Sequence, residues 1–206
     1  MTFPDQPFPS ISGFFDAYAS QMNTALASIS RDSLDRAQEI LSQAIARDSA
    51  VYSCGNGGSA AIANHLVCDH ARGISADTGL RPRVHSLSAT AEIMTAIAND
   101  QEYAEIFAAQ LRLFARPGDV LVTISSSGDS ENIVRAVRWA KDNGMPTIAL
   151  TGFAGGRSGA IADVNIHVAA DNYGVIEDAH QSVMHALAQF VRQRHMPPDL
   201  VSVRKF

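Results

Sequence analysis

The run Val120-Leu121-Val122-Thr123-Ile124, bounded by Asp119 and a cluster of serines, constrains the fold more than any other segment. A strand that is apolar on both sides has no solvent face, so it belongs inside a sheet covered on both surfaces. β-like runs occur at 49–54, 83–87, 118–124, 146–151 and 164–168. Helical spacing fills the intervals at 59–72, 90–99, 102–115 and 130–143, and a long helical pattern over 175–194 closes the series. Strand–helix alternation of this kind predicts an α/β fold: a five-stranded parallel sheet sandwiched between two helical layers. In such sheets ligands bind beyond the carboxyl ends of the strands.

Two further helical patterns precede the first strand. One carries Ile11, Phe14, Phe15, Tyr18, Met22, Ala25, Leu26 and Ile29, and the other Leu34, Ala37, Leu41 and Ile45. A helix with several aromatics has little reason to stand alone on a monomer, so oligomer formation is expected. Residues 1–9, with three prolines, read as a flexible N-terminal arm, 10–195 as one domain and 196–206 as a C-terminal tail. With 206 residues and 46% hydrophobic content, one substantial core is affordable. A net charge of −5 argues against nucleic acid as a partner. Arg192, Arg194, Arg204 and Lys205 read as a solvated helix end and tail. The two cysteines, Cys54 and Cys68, make no disulfide framework. With no leader pattern and no membrane-length apolar run, the expectation is a cytoplasmic protein without a membrane partner.

Two loops stand at predicted strand ends. Cys54-Gly55-Asn56-Gly57-Gly58-Ser59 follows Val51-Tyr52-Ser53 and precedes a helix expected to begin near Ser59. Its glycines let backbone N–H groups turn toward an anion, and the helix adds its positive end. Ser125-Ser126-Ser127-Gly128-Asp129-Ser130 follows the buried strand and leads into the next helix. It reads either as a phosphate site or as a serine-rich turn with an N-cap. His65 and Asp69, four apart, share a helix face. On the last helix Glu177, Gln181 and His185 form one stripe, with His180 beside it. These residues suit a divalent metal held by imidazole and carboxylate, or a polar face at an interface. Asn99-Asp100 reads as a helix terminus or a sugar-hydroxyl contact, and Thr151-Gly152 with Gly155-Gly156 as a loop near the same rim.

These segments together resemble the sugar isomerase (SIS) fold and, within it, the phosphoheptose isomerase family. The resemblance covers about residues 10–195. It rests on 53–59, His65, Ala98-Asn99-Asp100, 124–130, Leu150-Thr151-Gly152 and the Glu177…His185 pattern. It implies an aldose–ketose isomerase acting on a sugar phosphate, sedoheptulose 7-phosphate by preference, in heptose synthesis for lipopolysaccharide. It implies substrate contacts from Asn56, Gly57, Gly58, Ser59, Asn99, Asp100, Ser125, Ser126, Ser127, Ser130 and Glu177. It implies zinc on His65, Asp69, Glu177 and His185, with Asp69 and His185 as the acid–base pair, and a homotetramer with sites between subunits. Four positions depart from the family pattern: Asp69 stands for a glutamate, Glu177 for a glutamine, Gly174 near an aspartate, and Ala60 where some members carry a polar residue. The competing readings are a non-catalytic phosphosugar-binding module of the same fold, of a regulatory or replication-initiator-associating type, and an isomerase for a different sugar phosphate.

Overall fold

The computed structural model describes residues 2–206. Two helices, α1 (Ile11–Ser28) and α2 (Arg31–Ala46), precede β1 (Ala50–Gly55). Ser10 and Ser30 start them, each accepting a hydrogen bond on its hydroxyl from the backbone N–H three residues on. Then come α3 (Gly57–Val67), a π-helical turn (Cys68–Gly73), β2 (Arg83–Ser86), α4 (Ala91–Asp100), a 3₁₀ turn (Tyr103–Glu105) and α5 (Ala108–Phe114). The chain continues through β3 (Val120–Ser125), α6 (Glu131–Asp142), β4 (Thr147–Thr151), α7 (Gly156–Ile161), β5 (Val164–His167), α8 (Tyr173–His195) and α9 (Pro198–Val201). The five strands lie in the order β2-β1-β3-β4-β5, all parallel.

Alternation along the central strands divides the core. Val51, Val120, Val122 and Ile124 face a layer with Leu41, Ile62, Leu66, Val183 and Leu187. Tyr52, Cys54 and Leu121 face the other, with Phe107, Leu111, Ile133 and Val137. Every residue of β1, β3 and β4 is buried, as the apolar run predicts. The strand order reverses at β1 and β3, so the loops after these two neighbours flank a crevice at the sheet's carboxyl edge. Those are the glycine and serine loops.

The structure departs from expectation in four places. The helix after the glycine loop starts at Gly57, two residues before Ser59, and Gly57 itself takes a positive φ of 52° that glycine adopts without strain. The helix expected over 102–115 is a 3₁₀ turn followed by α5. Gly155-Gly156, read as loop, opens the six-residue α7; both take positive φ, which no side-chain-bearing residue adopts readily. Of the arm over 1–9, Met1 lies outside the described residues, and Phe3 is buried against Phe8, Phe14 and Tyr18, so the segment is docked where a loose arm was expected. Apolar area offers the reason: the Phe8, Phe14 and Tyr18 rings lie 5.3–6.2 Å from the Phe3 ring, and the four shelter one another from water. Among the described residues no helix is long and apolar enough to cross a membrane.

Candidate active site

The glycine loop is shaped by close approach. A Cβ at Gly55 would lie 2.5 Å from the Ser59 carbonyl oxygen, so only glycine lets β1 meet α3 this closely. A Cβ at Gly58 would lie 2.3 Å from Glu177 Oε2, so the α8 carboxylate nests on that glycine. The serine loop is locked from the other side. Gly128 has φ 66°, and a Cβ there would lie 2.1 Å from the Gly155 carbonyl. Ser158 N donates to Gly128 O and Gly152 N to Ser126 O, both at 2.8 Å. Arg157 clamps Asp129, with Nε donating to Oδ1 at 2.6 Å and Nη2 to the backbone O at 2.8 Å.

The two loops are also tied to each other. Asn56 and Asn132 exchange reciprocal amide hydrogen bonds of 2.9 Å, and Tyr103 Oη donates to Asn56 Oδ1 at 2.9 Å. Between them lies a cavity of about 160 Å³ lined by Asn56, Ser59, Ser125, Ser126, Ser127, Ser130, Tyr173 and Glu177. Its hydroxyls are largely uncommitted: Ser126 Oγ is buried without a partner, and Ser130, though at the N-cap of α6, makes no capping bond. Donors at a helix N-terminus, held on a rigid backbone, form a cradle for an anion. Glu177 sits against it, its carboxyl held above the usual range by burial first and by Asp178 second.

The second constellation is made of side chains alone. His65 Nε2 lies 3.2 Å from Asp69 Oδ1, and His185 Nδ1 lies 2.8 Å from Asp69 Oδ2. The imidazoles meet edge to face, 5.1 Å between centroids. Gln181 Nε2 is 3.0 Å from His185 Nε2. With the amide donating, that nitrogen accepts and the proton sits on Nδ1, facing Asp69. Asp69 lies in the π turn, where Ile74 N reaches back five residues to Asp69 O at 3.0 Å. Asp69 Oδ2 is buried and has no aligned hydrogen bond, its approach to His185 being short but off-axis. Ligand atoms of His65, Asp69 and His185 all fall within 4.8 Å of one another. Two imidazoles and one carboxylate, whose Oδ2 is left without a hydrogen-bond partner, fit a divalent cation such as zinc.

Not every residue singled out in the sequence joins these groups. Glu177, expected as a metal ligand, is outside that cluster and lines the serine-loop cavity instead, because eight residues of α8 separate it from His185. Asn99 and Asp100 end α4 exposed, bonded to each other at 2.9 Å, and do not line the cavity within this chain. His180 and His70 are buried and desolvation pushes both imidazoles down to about 4. His180 Nε2 lies 3.1 Å from Thr151 O, holding α8 to the end of β4. Cys54 is buried, its thiol pushed upward by desolvation, and Cys68 is exposed. The sequence assigns no role to Asn132, at the end of the serine-loop segment, or to Tyr173 and Arg157. Asn132 had a signal, as a polar residue on the inward stripe of an amphipathic helix.

A parallel sheet with an anion cradle at its switch point and a histidine–carboxylate cluster on two helices defines a SIS-type sugar-phosphate protein, and the SIS domain family model matches residues 14–152. A phosphoheptose isomerase of Alteromonas mediterranea is 35% identical over 182 residues, 87% of this chain and 91% of that one. Solved structures agree. The Neisseria gonorrhoeae phosphoheptose isomerase superposes with a TM-score of 0.79 at 32% identity, over 88% of this chain and 96% of that one. The Francisella tularensis one gives 0.81 at 29%, over 89% and 96%. The chain belongs to the phosphoheptose isomerase family of SIS-domain proteins.

Proposed function

We infer that the chain interconverts sedoheptulose 7-phosphate and an aldose heptose 7-phosphate. The observation that carries this reading is the spacing of cradle and pair along α8. Glu177 lines the cradle and His185 faces Asp69; eight residues at ~1.5 Å rise put them about 12 Å apart. An extended seven-carbon sugar phosphate, eight bonds from C1 to phosphorus with C–C bonds of ~1.5 Å, spans roughly 10 Å. With its phosphate in the serine loop, its carbonyl end reaches the pair.

There Asp69 and His185 divide the proton transfers. One removes the proton from C1 of the open-chain ketose while the C2 carbonyl oxygen gains one, giving the enediol. Return of a proton to C2, with loss of the O1 proton, completes the aldose with no net change in atoms or charge. His65 steadies the far oxygen of Asp69, and Gln181 holds the His185 tautomer. A divalent cation held by His65, Asp69 and His185 would act as a Lewis acid on the carbonyl. Remote binding of the phosphate goes into positioning the reacting end. A phosphosugar sensor needs only the cradle, so the convergence of His65, Asp69 and His185 favours the enzyme. Exposed Ile11 and Phe15 on α1 support a homo-oligomer, read as a tetramer with sites between subunits, and a cytoplasmic setting is part of the same reading.

The test is proton NMR of sedoheptulose 7-phosphate in deuterated water, with and without zinc. Conversion with deuterium entering at the carbon beside the carbonyl is expected, faster with zinc. Absence of conversion and of exchange, with the phosphate ester still bound, would overturn the reading in favour of a sensor.

A further inference from the structure

Beyond His185, α8 continues to Gln189 and Arg192 on the same side. Arg192 is 9% exposed, and its donors are taken up by two separate stretches of chain, Ala76-Asp77 and the C-terminal segment. Nε donates to Ala76 O at 3.1 Å, Nη1 to Lys205 O at 3.0 Å and Nη2 to Asp77 Oδ2 at 3.0 Å. Its guanidinium carbon lies 4.7 Å from the Phe206 ring centroid, a cation–π distance. Arg204 reaches the other oxygen of Asp77 at 3.4 Å. Asp77 itself has φ 61°, a conformation that aspartate tolerates better than most residues and that the two arginines hold in place. The segment after α9, expected to be a solvated tail, is therefore doubled back and pinned.

The consequence is a wall. A cavity of about 250 Å³ is lined by Asp69, His185, Gln189, Arg192 and Phe206, so the Phe206 ring borders the same space as the Asp69–His185 pair. We propose that Phe206 is a specificity-determining residue: its ring closes one flank of the cavity holding the Asp69–His185 pair, admitting a slim open-chain sugar end and limiting the approach of bulkier molecules. This rests on the reading of Asp69 and His185 as the proton-transferring pair. The ring is partly exposed, as a residue at the rim of an opening must be.

The test uses the full chain as purified, with Phe206→Ala and Phe206→Leu. Diethyl pyrocarbonate, a bulky acylating probe, is applied to each, and carbethoxylation of His185 is read by mass spectrometry against His85, which is exposed on β2. Phe206→Ala should raise the His185:His85 ratio at least threefold, and Phe206→Leu, which restores apolar volume, should return it near the parent value. The KM for sedoheptulose 7-phosphate should rise several-fold in the alanine variant with kcat within twofold. An unchanged ratio in Phe206→Ala overturns the wall. A raised ratio with KM unchanged overturns its role in specificity. If the parent protein turns over no sedoheptulose 7-phosphate, the isomerase reading fails, while the labelling ratio still decides whether Phe206 shields the pair.

Discussion

The serine-loop cradle and the Asp69–His185 pair are built on opposite plans. The cradle is backbone: positive-φ glycines, carbonyls in van der Waals contact with glycine Cα atoms, and a reciprocal amide pair that ties two loops together. The pair is side chain, with an aspartate on a π turn between two half-exposed imidazoles and one carboxylate oxygen left without an aligned partner. The first region is finished before any ligand arrives. The second has unspent hydrogen-bonding and ligating capacity. A phosphate is the same in every intermediate of an isomerisation, so a rigid mould suits it. The reacting carbons change charge and geometry, and groups that gain their best interactions only in the transition state are the ones that accelerate reactions.

If this division is right, damage to the pair should abolish chemistry while sparing the fold. Asp69→Asn keeps the shape and removes the base and the carboxylate contacts to His65 and His185. We expect kcat to fall ~10²–10⁴-fold, the usual worth of a general base, with the thermal midpoint little changed. Deuterium incorporation into bound substrate is the measurement. A variant retaining parental exchange would assign proton abstraction elsewhere and leave the comparison without its second half.

Damage to the cradle should do the reverse. Gly128→Ala forces a Cβ into the left-handed region and to within 2.1 Å of the Gly155 carbonyl. Left-handed backbone and overpacking together cost about 2–5 kcal/mol. The expected outcome is a lowered unfolding midpoint in urea and a large rise in KM for the phosphorylated substrate, with surviving kcat at saturation. A normal midpoint would mean that the loop is softer than its contacts indicate.

Two histidines five residues apart on α8 sharpen the contrast. His185 faces the opening, whereas His180 is fully buried with its Nε2 on Thr151 O. Burial lowers the His180 imidazole from 6.5 to about 4. Below pH about 6.5 the unfolded chain takes up a proton that the folded chain refuses, so stability is lost as pH falls toward about 4 and the loss then levels off. At ~1.4 kcal/mol per pH unit, the contribution between pH 7 and 5 is on the order of 2 kcal/mol. His70 adds loss in the same direction. In His180→Gln the drop in urea stability between those pH values should shrink by about that amount, while the isomerase pH profile keeps its shape.

The cradle was the more legible of the two in sequence, for a physical reason. Glycine and serine act through their own backbone, so Gly55–Ser59 and Ser125–Ser130 declare a turn and a set of donors within a few residues. The strands were legible too, since burial on both faces leaves no polar alternation to confuse the reading. His65 and Asp69 could be paired by helical spacing, but their meeting with His185 depends on α3 packing against α8 over more than a hundred residues of intervening chain. The π turn under Asp69 carries no composition of its own and arises from that packing. Gly155-Gly156 concealed α7, because the signal that ends most helices here begins one. The docking of Phe3 and Phe206 was hidden for the same reason as Glu177's position: each is fixed by partners far away in sequence.

Glu177 is where the two plans touch, and it supplies the mildest test. Its carboxylate lies on Gly58 at the edge of the cradle, with its ionisation disfavoured by burial and by Asp178. Because the folded carboxyl holds its proton to higher pH than the unfolded one, the penalty is absent in acid. It grows as pH rises through the ordinary glutamate range and becomes constant above the folded-state value. An ionised carboxylate there also repels a bound phosphate. Glu177→Gln keeps the volume and the hydrogen-bonding oxygen while removing the charge. At neutral pH the variant should be slightly more stable than the parent and bind the phosphorylated substrate a few-fold more tightly, and both differences should vanish at pH values where the parent's Glu177 is protonated. Isothermal titration with the sugar phosphate across that range reads the effect. Weaker binding in the variant at neutral pH would mean that the carboxylate accepts a substrate hydroxyl, making Glu177 part of the reacting half of the site and moving the boundary between the two regions one turn down α8.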